Sequence, residues 1–253
     1  MTLRLFALTC GWLESELRLF LRGEPGRIRV PVPVYLIEHP RGKLLFDSGL
    51  HPDAGRDPKA RLGRAAPLFE VSLAPEEAVA GRLAALGVDP AEVRWLVNSH
   101  LHFDHAGGNA CLPEARLVVQ RREWEAGHDP DAVRRHFYRP EDYDLGHDVL
   151  LVDGEHDLFG DGSVTCLPTF GHTPGHQSLR VRLPGGDVVL CGDACYLRRS
   201  LTALHLPEGA ADEAGMLAAL ERLAALERAG ARIFYGHDPD FWEALPKAPQ
   251  PIV

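Results

Sequence analysis

Val93-Arg94-Trp95-Leu96-Val97-Asn98-Ser99-His100-Leu101-His102-Phe103-Asp104-His105-Ala106-Gly107-Gly108 joins a short apolar run to three histidines and an aspartate within six positions. The run Val93–Val97 reads as a buried strand. In an extended segment alternate side chains share a face, so His100 and His102 are expected to offer imidazoles to one ion. Paired glycines tolerate bends and close approaches that other residues resist, and the bend they allow turns Asp104 and His105 toward a second ion. Neutral imidazole and carboxylate suit zinc foremost, with iron, manganese or cobalt as alternatives. The cluster holds no cysteine, which argues against a closed structural zinc knuckle. It also lies at a strand end, where the sites of open α/β sheets tend to be.

Outward from the cluster, the N-terminal part reads as strands at Leu3–Thr9, Val30–Ile37 and Lys43–Phe46. Gly23-Glu24-Pro25-Gly26 and Pro40-Arg41-Gly42 separate them and suggest antiparallel pairing. Pro31 and Pro33 favour an edge or strand-start position for the second run, since proline offers no ladder donor. Pro75–Leu86 has helix grammar, with proline in the first turn, Glu76 and Glu77 at the positive end and Gly87 as terminator. Beyond the cluster come a strand over Ala115–Gln120 and a helical, aromatic-bearing stretch from Arg121 to about Tyr143. Strands follow at Val149–Val152, Val164–Leu167, Ser178–Leu183 and Asp187–Cys191. A last helix over Asp212–Ala229 puts Met216, Leu217, Leu220, Leu223 and Ala224 on one face. Gly230 ends it and Arg232–Tyr235 forms a closing strand. Strands in two batches, each ending in helix, fit an α/β fold: two mixed β-sheets packed together with helices on the outer faces, a four-layer αββα sandwich.

The 253 residues, 45% of them hydrophobic, can bury a sizeable core, and a single domain over 1–253 is expected. A formal charge of -9, from 27 basic and 36 acidic residues, opposes a nucleic-acid partner. Arg121-Arg122 and Arg134-Arg135 are short, mixed with acids, and read as solvated helix faces. No run approaches the ~18 apolar residues of a membrane span, so no membrane partner is expected. Met1–Cys10 is broken by Arg4 and too short for a signal-peptide core. The cysteines Cys10, Cys111, Cys166, Cys191 and Cys195 form no C-x-x-C pair, which makes a reduced, cytoplasmic compartment the default. The oligomeric state is expected to be monomer or homodimer.

Three further segments carry ligand-type residues: Phe170-Gly171-His172-Thr173-Pro174-Gly175-His176, Cys191-Gly192-Asp193 and Tyr235-Gly236-His237-Asp238. In each, a glycine lets the backbone close on an ion. The set divides into His100, His102 and His172 for one ion and Asp104, His105 and His237 for the other, with Asp193 between them. A carboxylate can bridge two ions, and an imidazole does not do so readily. These ligands leave a position for a bridging hydroxide, and such an open position marks a catalytic rather than a structural site. His176 is expected to support the site from behind. Asp47, in Phe46-Asp47-Ser48-Gly49, either orients a ligand imidazole or forms a turn. The remaining His39, His51, His128, His136, His147, His156 and His205 are expected on loops or the surface.

The pattern His100-x-His102-x-Asp104-His105, then His172, Asp193 and His237, resembles the metallo-beta-lactamase superfamily, and within it the N-acyl-homoserine lactonases of quorum-quenching type. Similar to theirs are Ser99–Asn109, Val119-Gln120-Arg121 followed by Glu123, Gly171–Ser178, Gly236-His237-Asp238, and Asp193-Ala194-Cys195-Tyr196, with its tyrosine three residues after the bridging aspartate. The likeness runs from about Val30 to Asp238. It implies two divalent metal ions per chain and a hydrolase that opens the lactone ring of N-acyl-homoserine lactones by attack of a metal-bridging hydroxide. It further implies that Tyr196 donates a hydrogen bond to the carbonyl or developing oxyanion, worth roughly 2.7–4 kcal/mol for a well-aimed donor. Asp104 would be both ligand and proton carrier to the leaving group. Phe103, Trp124, Phe137, Tyr138 and Tyr143 are the aromatic candidates for an apolar acyl-chain groove, with Phe103 foremost. Departures from the lactonase pattern, at Trp12–Ile28, Cys195 and Trp124–Tyr143, fall where substrate choice is set. The rival readings are another hydrolase of the superfamily (a glyoxalase II-like thioesterase, a heterocyclic lactonase, a phosphodiesterase or a phosphotriesterase) and, from another class, a non-catalytic metal-binding sensor.

Overall fold

β1 (Arg4–Glu16), β2 (Arg27–His39) and β3 (Gly42–Phe46) form the antiparallel meander that the turn signals predict. The computed structural model describes residues 3–253. β4 (Glu70–Ser72), too short and polar to be read from sequence, pairs with the far side of β1. β5 (Val93–Val97), β6 (Arg116–Gln120) and β7 (Val149–Val152) continue in parallel from β3, completing a mixed seven-stranded sheet of order β4-β1-β2-β3-β5-β6-β7. The second sheet contains β8 (His156–Asp157), β9 (Val164–Pro168), β10 (Gln177–Leu183), β11 (Gly186–Leu190) and β12 (Arg232–Phe234). Its order is β12-β11-β10-β9-β8, antiparallel except for the β11–β12 pair. The helices are α1 (Pro58–Leu62), α2 (Val79–Ala85), α3 (Arg121–His128), α4 (Pro130–Arg135), α5 (Pro140–Tyr143), α6 (Arg198–Ala203), α7 (Glu213–Arg228) and α8 (Pro239–Ala244).

Alternation along the strands builds the layers. Leu44 and Phe46 of β3 enter the core between the sheets with Val97, Val118, Leu179, Val181, Val188 and Leu190. Leu45 points the other way, to Leu36, Leu96 and Leu117 beneath Val79 and Leu83 of α2. Strands buried on both faces read as nearly continuous apolar runs, as Val93–Val97 does. On the second sheet, Ala219, Leu220 and Leu223 of α7 cover Leu167, Val189 and Ile233. Each such leucine contributes about 1.5–3 kcal/mol by its burial. Helix, sheet, sheet, helix is the expected αββα sandwich. No helix among the described residues is long and apolar enough to cross a membrane.

Several expectations need correction. The stretch from Arg121 to Tyr143 is three short helices, α3 to α5, because Asp129 and Arg139 each precede a proline and take extended backbone angles. Pro75–Leu86 is a 3-10 turn at Pro75–Glu77 and then α2, interrupted by the extended Ala78. Leu217, expected on the core face of α7, is 37% exposed, and Ala219 is buried in its stead. Arg232–Tyr235 is followed by a further helix, α8, with no counterpart in the sequence reading. Pro31 and Pro33 lie in a strand with neighbours on both sides, yet their position is locally an edge. β3 pairs only with Tyr35–His39, so the first half of β2 has β1 alone for a neighbour. The Pro31 carbonyl points away from β1, to His237 Nδ1 at 2.8 Å. Residues two apart on a strand orient their backbone groups alike, so the two missing N–H groups cost no ladder bond.

Candidate metal centre

Strand ends deliver every candidate ligand: His100 follows β5, His172 follows β9, Asp193 follows β11 and His237 follows β12. His100 and His102 do not prolong β5 as an extended segment. The chain bends there, and the two rings meet through different atoms, His100 Nε2 and His102 Nδ1, 2.9 Å apart. The His102 carbonyl then accepts the N–H groups of His105 at 3.1 Å and Ala106 at 2.8 Å, closing a turn that swings Asp104 and His105 to a second position. Gly107 and Gly108 serve close approach: a Cβ on them would lie 2.3 Å from the Phe103 and Ser48 carbonyl oxygens respectively. A Cβ on Gly236 would lie 2.4 Å from the Gly192 carbonyl oxygen, so the loops bearing Asp193 and His237 touch through bare backbone.

The structure gathers the candidate ligand atoms into two groups, His100, His102, His172 and Asp193 in one and Asp104, His105 and His237 in the other. His172 Nε2 stands 3.2 Å from His100 Nε2 and 3.0 Å from His102 Nδ1. Metal–nitrogen bonds of about 2.0–2.1 Å put tetrahedral ligand atoms about 3.3–3.4 Å apart, close to this spacing. Asp193 spans the groups. Its Oδ1 lies 3.1 Å from both His105 Nε2 and His237 Nε2, and its Oδ2 lies 3.3 Å from His172 Nε2 and 3.7 Å from His100 Nε2. Asp104 Oδ2 is 3.7 Å from His105 Nε2 and from His237 Nε2.

The other ring nitrogen of every histidine in the two groups meets an oxygen. His100 Nδ1 faces Ser99 Oγ at 2.9 Å, His102 Nε2 the His136 carbonyl at 2.8 Å, and His172 Nδ1 the Tyr196 hydroxyl at 3.1 Å. His105 Nδ1 meets Asp47 Oδ2 at 2.8 Å, and His237 Nδ1 the Pro31 carbonyl at 2.8 Å. A proton on each outward nitrogen leaves the inward one as a lone pair, the state a metal requires. His105 Nε2 and Asp193 Oδ1, both buried and 3.1 Å apart, are not aligned to hydrogen-bond with each other or with any other group.

Electrostatics separates the groups. Burial drives His100, His102 and His172 below the ordinary imidazole range. Burial also pushes His105 and His237 down, but Asp193 and Asp104, joined by Asp47 for His105, outweigh it and lift both above that range. Desolvation raises Asp193, yet His105 and His237 hold its carboxyl well below the usual range. The buried carboxylates call for positive charge between them, and a divalent cation held by each group would supply it. The donor set therefore fits a pair of divalent metal ions.

Residues 27–237 match the Metallo-beta-lactamase superfamily. The chain belongs to this superfamily. It is 36% identical to an N-acyl homoserine lactonase, AttM, of Azorhizobium caulinodans, over 98% of this chain and 97% of the relative. With an N-acyl homoserine lactonase of Bacillus thuringiensis it shares 31% identity, over 85% of this chain and 84% of the other. A crystal structure of an N-acyl homoserine lactone hydrolase, with N-hexanoyl-L-homoserine bound at its catalytic metal center, superimposes with a TM-score of 0.89 at 27% identity, covering 100% of both chains.

Behind this metallo-beta-lactamase centre lie residues that hold its geometry. Asp47, with φ 62°, accepts from the Ser99 N–H at 2.7 Å, the Ser99 hydroxyl at 2.9 Å and His105 Nδ1. His176 joins neither group. Its Nε2 accepts the Asp193 N–H at 2.9 Å and its Nδ1 meets Thr169 Oγ1 at 2.9 Å. Sequence reading assigned no role to Glu123, which is fully buried and joins two ligand loops. Its Oε1 accepts the Leu101 N–H at 3.1 Å and the Tyr138 hydroxyl at 2.8 Å, and its Oε2 the Gly175 N–H at 2.8 Å. The signal available was a glutamate in the first turn of a helix directly after β6, where it can reach the neighbouring strand ends. His136 contributes only its carbonyl. Elsewhere, His39 stacks on Phe159 with centroids 3.8 Å apart, away from both groups.

Over the ligands opens a cleft of about 370 Å³, lined by His102, Asp104, His172, Asp193, His237 and Tyr196 at its base. Its walls are Leu13, Leu19, Phe20, Leu68, Phe69, Phe103 and Phe137. Of the five aromatic candidates, only Phe103 and Phe137 line it. Trp124 packs against His128 at 4.4 Å, and the Tyr143 hydroxyl donates to the Gly127 carbonyl at 2.6 Å. Leu19 and Phe20 come from the Trp12–Ile28 departure and were not singled out. A larger surface groove of about 760 Å³ borders Arg198, Pro239 and Phe241 and contains none of the candidate ligands.

Proposed function

We infer that the chain is an N-acyl-homoserine lactonase, a metal-dependent hydrolase that opens the lactone ring to the N-acyl-homoserine. The observation that carries this reading is one carboxylate, Asp193, shared by two imidazole-bearing groups at the base of an apolar cleft that also holds a phenol. The lactonase names of the relatives, and the product bound at the metal center of a similar structure, support the same reaction. His100, His102 and His172 would hold one ion, Asp104, His105 and His237 the other, and Asp193 both, with zinc favoured by the imidazole-rich donor set. When bound, the two ions supply charge to polarise the ester carbonyl and lower the pKa of water toward about 7, making hydroxide available.

The chain's own residues do the rest. With Nε2 turned to an ion, His172 Nδ1–H would donate to Tyr196 Oη, and the phenol proton would be left to meet the carbonyl oxygen as it gains negative charge. Burial, then Asp193 and Asp104, push the Tyr196 phenol well above its ordinary range, so it works as a hydrogen-bond donor and keeps its proton. Asp104 would take the proton that the attacking water or hydroxide gives up and pass it to the ring oxygen as the acyl–oxygen bond breaks. Phe103, 6% exposed, contacts the substrate from the cleft wall and helps exclude water. The substrate partner is a small acyl lactone, and the five unpaired cysteines suit a reducing cytoplasm.

A panel of homoserine lactones, aryl esters, thioesters and phosphodiesters, with metal analysis on the same sample, tests the reading. The expected result is two equivalents of divalent metal and the highest kcat/KM on acyl lactones. Preference for a thioester over every lactone, or full activity in chelator at under one metal equivalent, overturns it.

A further inference from the structure

Asn109 closes the segment Ser99–Asn109 yet has no part in the ligand set. It is buried, and so are the amides of Asn98, Gln120 and Gln177. A buried amide costs free energy unless its donor and its acceptor are both met. These four meet one another in a chain that crosses from one sheet to the other. Gln120 Oε1 accepts the Gly154 N–H at 3.0 Å, and Gln120 Nε2 donates to Gln177 Oε1 at 3.0 Å. Gln177 Nε2 donates to the Asn98 carbonyl at 2.8 Å. The Asn98 and Asn109 side chains then form a reciprocal pair, with Asn109 Nδ2 2.8 Å from Asn98 Oδ1 and Asn98 Nδ2 3.4 Å from Asn109 Oδ1.

This chain ends on a candidate ligand. Asn98 Nδ2 donates to the His105 carbonyl at 3.2 Å, and the same carbonyl accepts the Ser48 N–H at 2.8 Å and faces the Ser48 hydroxyl at 3.0 Å. A carbonyl only accepts, so the amide end that faces it is nitrogen. Asn98 Oδ1 is thereby left to Asn109 Nδ2, and Asn109 Oδ1 to the Ser48 hydroxyl at 2.7 Å. His105 is gripped at both ends, its Nδ1 by Asp47 and its carbonyl by Asn98 and Ser48, with Nε2 turned toward Asp193 and Asp104.

We propose that Asn98 is a positioning residue for the second ion: its amide, oriented by Asn109 and Ser48, holds the His105 carbonyl and so aims His105 Nε2 at the metal. This role rests on the two-ion reading above. Asp47 fixes the ring of His105, and Asn98 fixes the turn that carries it.

The test compares zinc-loaded wild type with Asn98→Leu, Asn109→Leu, the double variant and Asn98→Ser, by titration with a chromophoric chelator and by thermal melting in excess zinc. Leucine approximates the shape of asparagine and offers neither donor nor acceptor. Asn98→Leu takes a donor from the His105 carbonyl, so one equivalent of zinc should be held about 10–100-fold more weakly. Asn109→Leu keeps Asn98 Nδ2 on that carbonyl and frees the Ser48 hydroxyl for it. Zinc retention should then stay near wild type, while Asn98 Oδ1, buried without a partner, lowers the melting temperature. The double variant should melt above Asn109→Leu, because no amide is left unpaired, yet hold zinc as weakly as Asn98→Leu. An amide pair that served stability alone would lose zinc and melting temperature together.

Zinc held by Asn98→Leu within about twofold of wild type, or lost equally from Asn109→Leu, overturns the proposal. Should Asn98→Leu fail to fold, Asn98→Ser, whose hydroxyl falls one bond short of the amide nitrogen, decides by the same measure. Combined with Asp47→Asn, which acts on the same imidazole, Asn98→Leu should still release a single equivalent early; release of both ions puts the effect outside the second group and overturns the proposal. Wild type that retains under one equivalent of zinc overturns the two-ion reading itself, whereas two equivalents held alike by wild type and Asn98→Leu overturn only the role of Asn98.

Discussion

His100, His102 and His172 rest on neutral partners, a hydroxyl, a peptide carbonyl and a phenol, whereas His105 rests on a carboxylate and shares Asp104 and Asp193 with His237. Burial dominates in the first group and depresses its imidazoles; in the second, anions overcome burial and raise them. The first group offers a cation lone pairs, and the second offers lone pairs and negative charge. Asp193 lends one oxygen to each, so two chemically unequal halves are locked into one centre.

Removing the shared residue should break the contrast most severely. Asp193→Ala is expected to lower kcat/KM by more than the roughly 10²–10³ that a single oxyanion donor is worth, with metal content falling below two equivalents. A variant that keeps both metals and most activity would show that the halves stand independently. Next comes the phenol that hangs on the first group: Tyr196→Phe should cost about 10²-fold in kcat with metal content intact, and an unchanged rate removes Tyr196 from the chemistry.

The groups can then be weakened one at a time. Asp47→Asn acts directly on His105, while Glu123→Gln loosens the loops of His100 and His172, so each should weaken metal retention about 10–100-fold. In a chelator titration each variant should give up one equivalent early, and the double variant both. A double variant that still gives up only one equivalent early would show that both carboxylates act on the same ion and erase the distinction.

The smallest effect on turnover concerns a buried carboxylate outside the centre. Glu123 accepts several hydrogen bonds, but neither oxygen of Asp142 has a hydrogen-bond partner, with Arg139 Nε 3.4 Å away. Burial, against the opposing pull of Arg139, raises the Asp142 carboxyl to about 7. The folded chain then keeps a proton that the unfolded chain loses near pH ~4, so stability declines as pH rises from about 4 to about 7, by up to ~4 kcal/mol. Asp142→Asn should melt above wild type at pH 8 and level with it at pH 4. Parallel melting profiles across that window would remove Asp142 as the cause.

The two clusters that the fold gathers were legible as candidate ligands because residue type and spacing carry their chemistry: His-x-His-x-Asp-His after an apolar run requires little else. The sheet cores were legible for a similar reason, as Val93–Val97 and Val164–Leu167 announce themselves by hydropathy. What escaped depends on contacts distant in sequence. Glu123 follows Arg121 and Arg122, which are exposed as expected, and its place in the first turn after β6 gives it reach toward the strand ends without telling that its carboxylate is buried. Leu19 and Phe20 reach the cleft only because the chain between β1 and β2 folds over it. Trp124, Tyr138 and Tyr143 looked like pocket walls, but their partners are His128, Glu123 and Gly127. The prolines of β2 misled for the opposite reason: the edge rule holds, but strand neighbours change midway along a strand.

The bare-backbone contacts among the ligand loops also bear on how this protein can be altered. An added Cβ would meet main-chain atoms at 2.1 Å at Gly175, 2.3 Å at Gly107 and 2.4 Å at Gly236, and main chain cannot step aside as a flexible side chain can. These positions leave almost no room for sequence drift, whereas Leu19, Leu68 and Phe137 stand on the cleft wall with solvent beside them. A library aimed at new substrates should therefore hold the glycines constant and randomise the rim. The backbone contacts that seat the candidate ligand loops and the side chains that wall the cleft are thus largely separate sets of residues, joined at His136, whose carbonyl meets His102 beside Phe137.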